Sequence, residues 1–159
     1  MFRAVFNVLA LVLATILSVP AHANQKPPFW ASISASEARL RTGPGRQFPA
    51  SWLYQRAQLP VKVIGTYPNW RKIEDPDGTQ GWMQANLISF DRTALVIGDV
   101  RPLRDKPSST GKIIFRAEPG VVGSLSDCNR GWCKLDVKGR MGYIEQVHLW
   151  GVAPLEPKP

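Results

Sequence analysis

Short stretches in which apolar and polar residues alternate recur along the chain and predict β-strands. In residues 70–74 and 132–137, large apolar side chains stand among polar ones with a period of two, as on a strand with one buried face. Residues that tolerate positive φ follow each stretch, and a glycine with an aromatic neighbour, at Gly81 and at Gly142, then opens a further strand. Each region therefore predicts a β-hairpin.

The rest of the pattern excludes a helical fold. No window carries a long amphipathic helical pattern free of proline and glycine. Instead, 14 prolines and 13 glycines divide the chain into short segments. The predicted fold class is all-β.

One unit of sequence occurs twice. Residues 38–44 align with residues 101–107, and residues 69–73 align with residues 131–135. Units this small bury little core, and closure into a barrel removes their exposed sheet edges. The repeat predicts two consecutive small β-barrels. The predicted divisions are a signal peptide at 1–23, an N-terminal segment at 24–35, barrel 1 at 36–90, barrel 2 at 91–151 and a Pro-rich tail at 152–159.

The connection between the two predicted barrels is short and apolar. Residues 89–96 include Phe90, Leu95 and Val96, in place of the Gly, Ser and Pro of a flexible linker. We therefore expect the two barrels to be packed together.

The chain opens with the pattern of a secretory signal peptide. Arg3 precedes a mostly apolar run that ends at Val19, and Ala21, His22 and Ala23 supply an A-x-A cleavage site. The apolar run falls short of the roughly 20 residues that cross a bilayer. We expect cleavage after Ala23, a periplasmic or secreted location and no transmembrane segment.

The net charge of the chain limits the classes of partner that we expect. The formal net charge is +8, or +7 once Arg3 leaves with residues 1–23. A basic surface attracts polyanions, but export removes nucleic acid from reach. The Lys and Arg residues are also scattered along the chain, as on a solvated face, and form no block. Nucleic acid is therefore not an expected partner.

The repeated motifs resemble bacterial SH3 domains of the cell envelope. The likeness rests on Leu-Arg-x-Gly-Pro near the start of the first unit, Trp-x-Lys-Ile or Trp-x-Lys-Leu in the middle of each, and Gly-Trp-Met or Gly-Tyr-Ile near the end. The likeness covers residues 36–151 and occurs once in each of the two units. The chain as a whole is similar to small exported tandem SH3-like proteins of Gram-negative bacteria. The resemblance implies SH3-like barrels with a groove built by loops, which in relatives binds cell-wall peptide or a protein segment.

The same resemblance places Trp70 where SH3 domains present an exposed groove tryptophan. Gln84 and Leu87, however, replace the Pro and Tyr that help to form a groove for proline-rich peptides. Recognition of a polyproline helix needs those stacked aromatic walls. A proline-rich ligand is therefore not expected.

Aromatic residues beside predicted loops are the candidate ligand contacts. With one arginine, the candidate site consists of Trp52, Tyr54, Tyr67, Trp70 and Arg71. Arg46 and Arg56 are further neighbours, and such a platform suits an extended peptide bearing carboxylates, through stacking and charge-assisted hydrogen bonds. The large aromatics expected in the core or at a seam are Trp82, Tyr143 and Trp150.

Cys128 and Cys133 form a closely spaced pair. In an oxidising compartment, such a pair with a glycine turn between its members predicts a disulfide across a tight loop. Metal binding is the alternative, with His148 as the nearby imidazole, although the spacing is not that of a zinc site. The sequence thus favours a disulfide and no metal or other cofactor. The disulfide loop should enclose Trp132, the counterpart of Trp70, so that only barrel 1 binds a ligand.

The chain is not predicted to be an enzyme. A thiol-dependent hydrolase needs a free cysteine and a histidine base. Both cysteines are predicted to be bonded, and His148 is the only imidazole after residue 23. Two classes of function remain: a binding module for peptidoglycan peptide or an envelope protein, and a structural subunit that docks onto one envelope protein and takes no small ligand.

Overall fold

Two seven-stranded sheets make up the described part of the protein. The computed structural model describes residues 25–153, so the predicted signal peptide and most of the predicted tail lie outside the described residues. The first sheet contains β1 (Phe29–Ile33), β2 (Ala38–Arg41), β3 (Ala50–Tyr54), β4 (Pro60–Tyr67), β5 (Trp70–Glu74), β6 (Gln80–Gln84) and β7 (Ile88–Ser89). The second contains β8 (Thr93–Val96), β9 (Arg101–Arg104), β10 (Ile113–Ala117), β11 (Val122–Asn129), β12 (Trp132–Val137), β13 (Arg140–Glu145) and β14 (Leu149–Trp150).

Helical structure is minor in this range. Single 3-10 turns occur at Ala85–Leu87 and Gln146–His148. Among residues 25–153, no helix combines the length and the apolar character that a membrane crossing requires.

The two sheets have the same antiparallel topology. Their strand orders are β3-β2-β6-β5-β4-β1-β7 and β10-β9-β13-β12-β11-β8-β14, so each strand of the first sheet has its equivalent seven strands later. Each sheet surrounds its own cluster of buried side chains, which includes Leu40 and Ile73 in the first and Leu103 and Leu135 in the second. This confirms the predicted all-β fold of two consecutive barrels.

Barrel 1 begins earlier than residue 36, where the sequence analysis placed its boundary. The predicted N-terminal segment contains β1, which pairs with β4 on one side and β7 on the other. Phe29, Ala31 and Ile33 lie in the first core. The boundary was placed too late because β1 carries neither a period-two alternation nor a motif that recurs in the second unit, although β8 fills the equivalent place in the sheet.

Two equivalent glycines allow neighbouring strands to approach each other closely. A Cβ atom at Gly81 would lie 2.6 Å from Cγ of Leu40, and a Cβ atom at Gly142 would lie 2.8 Å from Cβ of Leu103. In a close-packed interior these distances would force the strands apart. The glycine of the repeated Gly-aromatic motif is therefore a packing requirement in both barrels.

The motif arginine of each unit is also structural. Nη1 of Arg41 donates to the carbonyl oxygen of Phe48 at 2.7 Å, and Nη1 of Arg104 donates to that of Gly111 at 2.7 Å. Each arginine thereby fixes the loop that joins its own strand to the next one.

A tight seam joins the two barrels. The buried Oγ of Ser32 donates to the carbonyl oxygen of Asp91 at 2.8 Å, and the buried Oγ1 of Thr93 donates to that of Gln58 at 2.8 Å. Beside these bonds, Trp30 of barrel 1 meets Trp150 of barrel 2 edge to face, with ring centroids 4.7 Å apart. The barrels are packed together, as the short connection predicted.

The two cysteines form the predicted disulfide. Cys128 and Cys133 lie directly opposite each other in the hairpin of β11 and β12, with Cα atoms 4.0 Å apart. Arg130 and Gly131, both at positive φ, make the turn between the strands. Trp132 is half-buried and follows this turn.

Gly151 provides a test of the seam. Its φ is +103°, and a Cβ atom there would lie 2.7 Å from the carbonyl oxygen of Thr93 and 2.9 Å from Cβ of Pro60. Gly139 also has positive φ, but a Cβ atom at that position would contact nothing within 4 Å. Gly151→Ala should therefore lower the free energy of unfolding by about 1–3 kcal/mol more than Gly139→Ala, the increment being that of overpacking. Urea denaturation measures both losses, and equal losses would contradict close packing at the seam.

Candidate functional site

The structure does not bring the five candidate residues into one site. Trp52 and Tyr54 lie on β3, at one end of the sheet order, whereas Tyr67, Trp70 and Arg71 lie in the hairpin of β4 and β5. Strands β2 and β6 separate the two groups in the sheet. The single groove predicted from all five residues is therefore wrong.

Trp70 is buried and is not the exposed groove tryptophan that the resemblance implied. Only 8% of its surface is exposed, and it lies outside the core cluster of barrel 1. It is paired on both sides, opposite Tyr67 on β4 and opposite Gln84 on β6. The sequence predicted an exposed Trp70 because it begins a strand after a turn. In the structure, neighbouring strands flank it on both sides. The sequence predicted an exposed Trp70 in barrel 1 and an enclosed Trp132 in barrel 2. The structure shows the reverse, because Trp70 is buried and Trp132 is only half-buried.

Arg71 cannot share a platform with Trp70. Successive residues of a strand point to opposite faces of the sheet, and Arg71 lies opposite the core residue Met83. Its Nη1 donates to the carbonyl oxygen of Trp70 at 2.9 Å. The aromatic and arginine pair suggested by their adjacency in the sequence is therefore not formed.

Tyr54 is a structural residue and not the exposed contact that was predicted. It is 6% exposed, and its hydroxyl donates to Oδ2 of the buried Asp75 at 2.8 Å. Oδ1 of Asp75 accepts hydrogen bonds from the backbone N–H groups of Asp77 and Thr79. Burial, and then the bond to Asp75, raise the pKa of the Tyr54 phenol. Tyr54 thus anchors the turn that follows β5.

A groove between the two barrels has the stronger claim to bind a ligand. Its volume is about 750 Å³. Barrel 1 lines it with residues 52–56, 75–77 and Thr79, and barrel 2 lines it with residues 95–98, Pro119 and Gly120. We call it the inter-barrel groove. No feature of either repeat unit alone indicated it, because it arises where the two barrels meet.

Trp52 is the most exposed large apolar side chain of this groove. It is 60% exposed, and its neighbour Leu53 is 41% exposed. Both lie on β3, an end strand of the described sheet with one side unpaired. The groove therefore combines an aromatic surface with a strand that has one unpaired edge.

The charges in the groove differ from those predicted. Of the arginines named as neighbours of the candidate site, Arg56 alone lines the groove, and its Nη2 donates to the carbonyl oxygen of Gly120 at 2.7 Å. The other charged residues that line the groove are Asp75 and Asp77. This wall does not present the cluster of arginines that a carboxylate-bearing peptide would require.

The remaining large aromatics are distributed differently from the prediction. Trp150 lies at the seam, as expected. Trp82 and Tyr143 are half-buried and outside the core clusters. Trp82 meets the 54% exposed Tyr67 edge to face, with ring centroids 6.4 Å apart. Tyr67 is thus exposed, as predicted, but away from the inter-barrel groove.

The residues with potential for catalysis are engaged in structure. The disulfide holds both cysteines. His148 ends a 3-10 turn, with its Nε2 3.7 Å from Oε2 of Glu145. Within residues 25–153, no three His, Cys, Asp or Glu side chains are grouped so that they could hold a metal ion.

Comparison with known protein families finds two matches, one in each barrel. The family model described as bacterial SH3 domain matches residues 34–89 and again residues 98–151. No curated protein matches the chain significantly.

Solved structures give a weak likeness over most of the chain. NlpC1 from Trichomonas vaginalis is 12% identical with a TM-score of 0.37, and the match covers 85% of this chain and 50% of that one. NlpC2 from Trichomonas vaginalis is 11% identical with a TM-score of 0.36, covering 80% and 49%. An NlpC/P60 family protein from Bacillus cereus ATCC 10987 is 15% identical with a TM-score of 0.35, covering 76% and 55%. The match spans about half the length of each of these proteins.

The bond between Tyr54 and Asp75 predicts a specific pH dependence. Tyr54→Phe should lower the free energy of unfolding by about 1–2 kcal/mol at neutral pH, because Oδ2 of a buried carboxylate loses its donor. The raised pKa keeps the phenol protonated in the folded protein where the unfolded chain already ionises. Its contribution is therefore complete below about pH 10 and is lost as the pH rises further.

Urea denaturation at neutral and alkaline pH measures both effects. Tyr54→Phe should be less stable than the parent at neutral pH and should lose less stability at alkaline pH. The control is Tyr67→Phe, which changes an exposed phenol. If the two substitutions cost the same, the bond to Asp75 does not anchor the turn.

Proposed function

The chain belongs to the bacterial SH3 domain family, and we propose that it is a non-catalytic binding protein of the cell envelope that holds an extended peptide in its inter-barrel groove. Bacterial SH3 domains are binding modules for the cell wall or for proteins. We further propose that the protein acts in the periplasm after removal of residues 1–23, since their sequence has the order of a signal peptide.

The exposure of Trp52 at the groove is the observation that carries this proposal. Large aromatic side chains are enriched at binding hot spots because they bury much area in a rigid form. Trp52 is 60% exposed, whereas Trp70, the tryptophan first expected to bind, is 8% exposed. Trp52 is therefore the residue of the candidate site best placed to contact a partner.

The form of the groove favours an extended chain. β3 is an end strand, and an extended peptide can add to such an edge through backbone hydrogen bonds while side chains enter neighbouring pockets. The volume of about 750 Å³ lies within the usual range for binding sites. Peptidoglycan peptide, or an extended segment of an envelope protein, has the shape that this surface can take.

Binding to isolated envelope material tests the proposal. Trp52→Ala should weaken binding by about 1–3 kcal/mol, as for an aromatic hot spot, and should leave the thermal midpoint nearly unchanged because the side chain is exposed. The matched control is Tyr67→Ala, which removes another exposed aromatic ring outside the groove. Loss of binding in Tyr67→Ala, together with full binding in Trp52→Ala, would show that the binding site lies near Tyr67 and not in the inter-barrel groove.

The choice of material separates the two partner classes. Sedimentation with purified sacculi reports binding to cell-wall peptide, and pull-down from detergent-solubilised envelope reports a protein partner. We expect the Trp52-dependent signal with sacculi. A signal from the solubilised envelope alone would favour the alternative, a structural subunit that docks onto one envelope protein.

A further inference from the structure

Barrel 2 shows which chemical group fits over the ring equivalent to Trp52. Phe115 lies opposite Leu103 on β9, as Trp52 lies opposite the equivalent Leu40 on β2. The guanidinium carbon of Arg140 stands 4.3 Å from the centroid of the Phe115 ring. This is cation–π geometry. In barrel 2, the protein thus fills this position with its own cation.

Barrel 1 lacks that internal cation. Thr79 and Arg140 are equivalent, because each stands two residues before the glycine of the Gly-aromatic motif, Gly81 or Gly142. Thr79 lines the inter-barrel groove together with Trp52, but its side chain carries no charge. The ring is also a better partner for a cation in barrel 1, since tryptophan binds cations more strongly than phenylalanine does.

The charges around Trp52 complete the site. Asp77 is exposed on the same groove wall as Thr79, whereas the neighbouring Asp75 is buried and its carboxylate accepts hydrogen bonds from Tyr54 and from two backbone N–H groups. Arg56 also lines the groove and keeps its positive charge, and the hydrogen bond from its Nη2 to the carbonyl oxygen of Gly120 holds it against barrel 2. The charged residues that line the groove are two acids and one arginine, so their formal charges sum to −1 in a chain whose formal net charge is +8. That arrangement is complementary to an organic cation.

We propose that the inter-barrel groove is selective for peptides with a cationic side chain, whose guanidinium or ammonium group stacks on Trp52 beside Asp77, as Arg140 stacks on Phe115. This inference rests on the proposed function and specifies its ligand. It also replaces the carboxylate-bearing peptide expected from the sequence.

Matched peptides test the role of the cation. The probe is acetyl-Ala-Ala-Arg-Ala-Ala-amide, and its control carries citrulline, which keeps the shape of arginine without the charge. The readout is the indole N–H signal of Trp52 in ¹⁵N-labelled protein, which is identified by its loss in Trp52→Phe. The arginine peptide should shift this signal saturably, and the citrulline peptide should bind about fivefold more weakly or worse. Equal affinities, or no response of Trp52 to the arginine peptide, would overturn the proposal.

A substitution in barrel 1 provides a second test. Thr79→Arg introduces into barrel 1 the cation that barrel 2 has at Arg140. The new guanidinium should stack on Trp52 and compete with the arginine peptide, which should then bind about fivefold more weakly or worse. Thr79→Gln adds comparable bulk at the same groove position without charge and should weaken binding less than Thr79→Arg does. Unchanged binding by Thr79→Arg, or the same loss in both variants, would contradict the assigned role of the cation. The backbone amide spectrum checks that each variant keeps the fold.

The outcomes separate this inference from the proposed function. If Trp52→Ala loses sacculus binding while the arginine and citrulline peptides bind equally, the groove is the binding site but does not select a cation. If sacculus and envelope binding are both independent of Trp52, the proposed function itself fails, whatever the peptides do.

Discussion

The seam between the barrels is the contact on which the inter-barrel groove depends. Thr93 bonds to Gln58 across it, and Gly151 lies so close to Pro60 and Thr93 that a single added methyl group would clash. Because this contact fixes one barrel against the other, residues 52–56 and 95–98 face a common groove. Each barrel alone would supply only one wall. The tandem arrangement therefore creates a surface that a single unit does not have.

The two barrels share a framework and differ at the residues available for function. The glycines that let strands approach, Gly81 and Gly142, have the same role in both. At the position of Cys133, which is bonded to Cys128 in barrel 2, barrel 1 has Arg71 opposite Thr66. Where barrel 2 covers an aromatic ring with its own arginine, barrel 1 leaves Trp52 open. The two barrels thus share the close packing of their strands and differ at the disulfide and at the exposed ring of Trp52.

The sequence predicted the framework well because packing and turn chemistry are local and repeated. The alternation in β5 and β12, the hairpin turns and the closely spaced cysteines each carry their own signal. The site was predicted poorly, since exposure depends on neighbours that are distant in the sequence. Trp70 and Arg71 are adjacent in the chain but occupy opposite faces of β5. Tyr54 is buried, and its hydroxyl donates a hydrogen bond to Asp75, which lies 21 residues later in the chain. The inter-barrel groove needs the relative placement of both units, which neither unit encodes by itself.

The central claim is that binding uses both barrels at once. Chemical-shift mapping with soluble peptides released from sacculi tests it most directly, because backbone amides report on each wall of the groove independently. The account predicts responses that are confined to residues 52–56 and 75–79 of barrel 1 and to residues 95–98 and 119–120 of barrel 2. A response restricted to the hairpin around Tyr67 and Trp70, with no change in barrel 2, would contradict it.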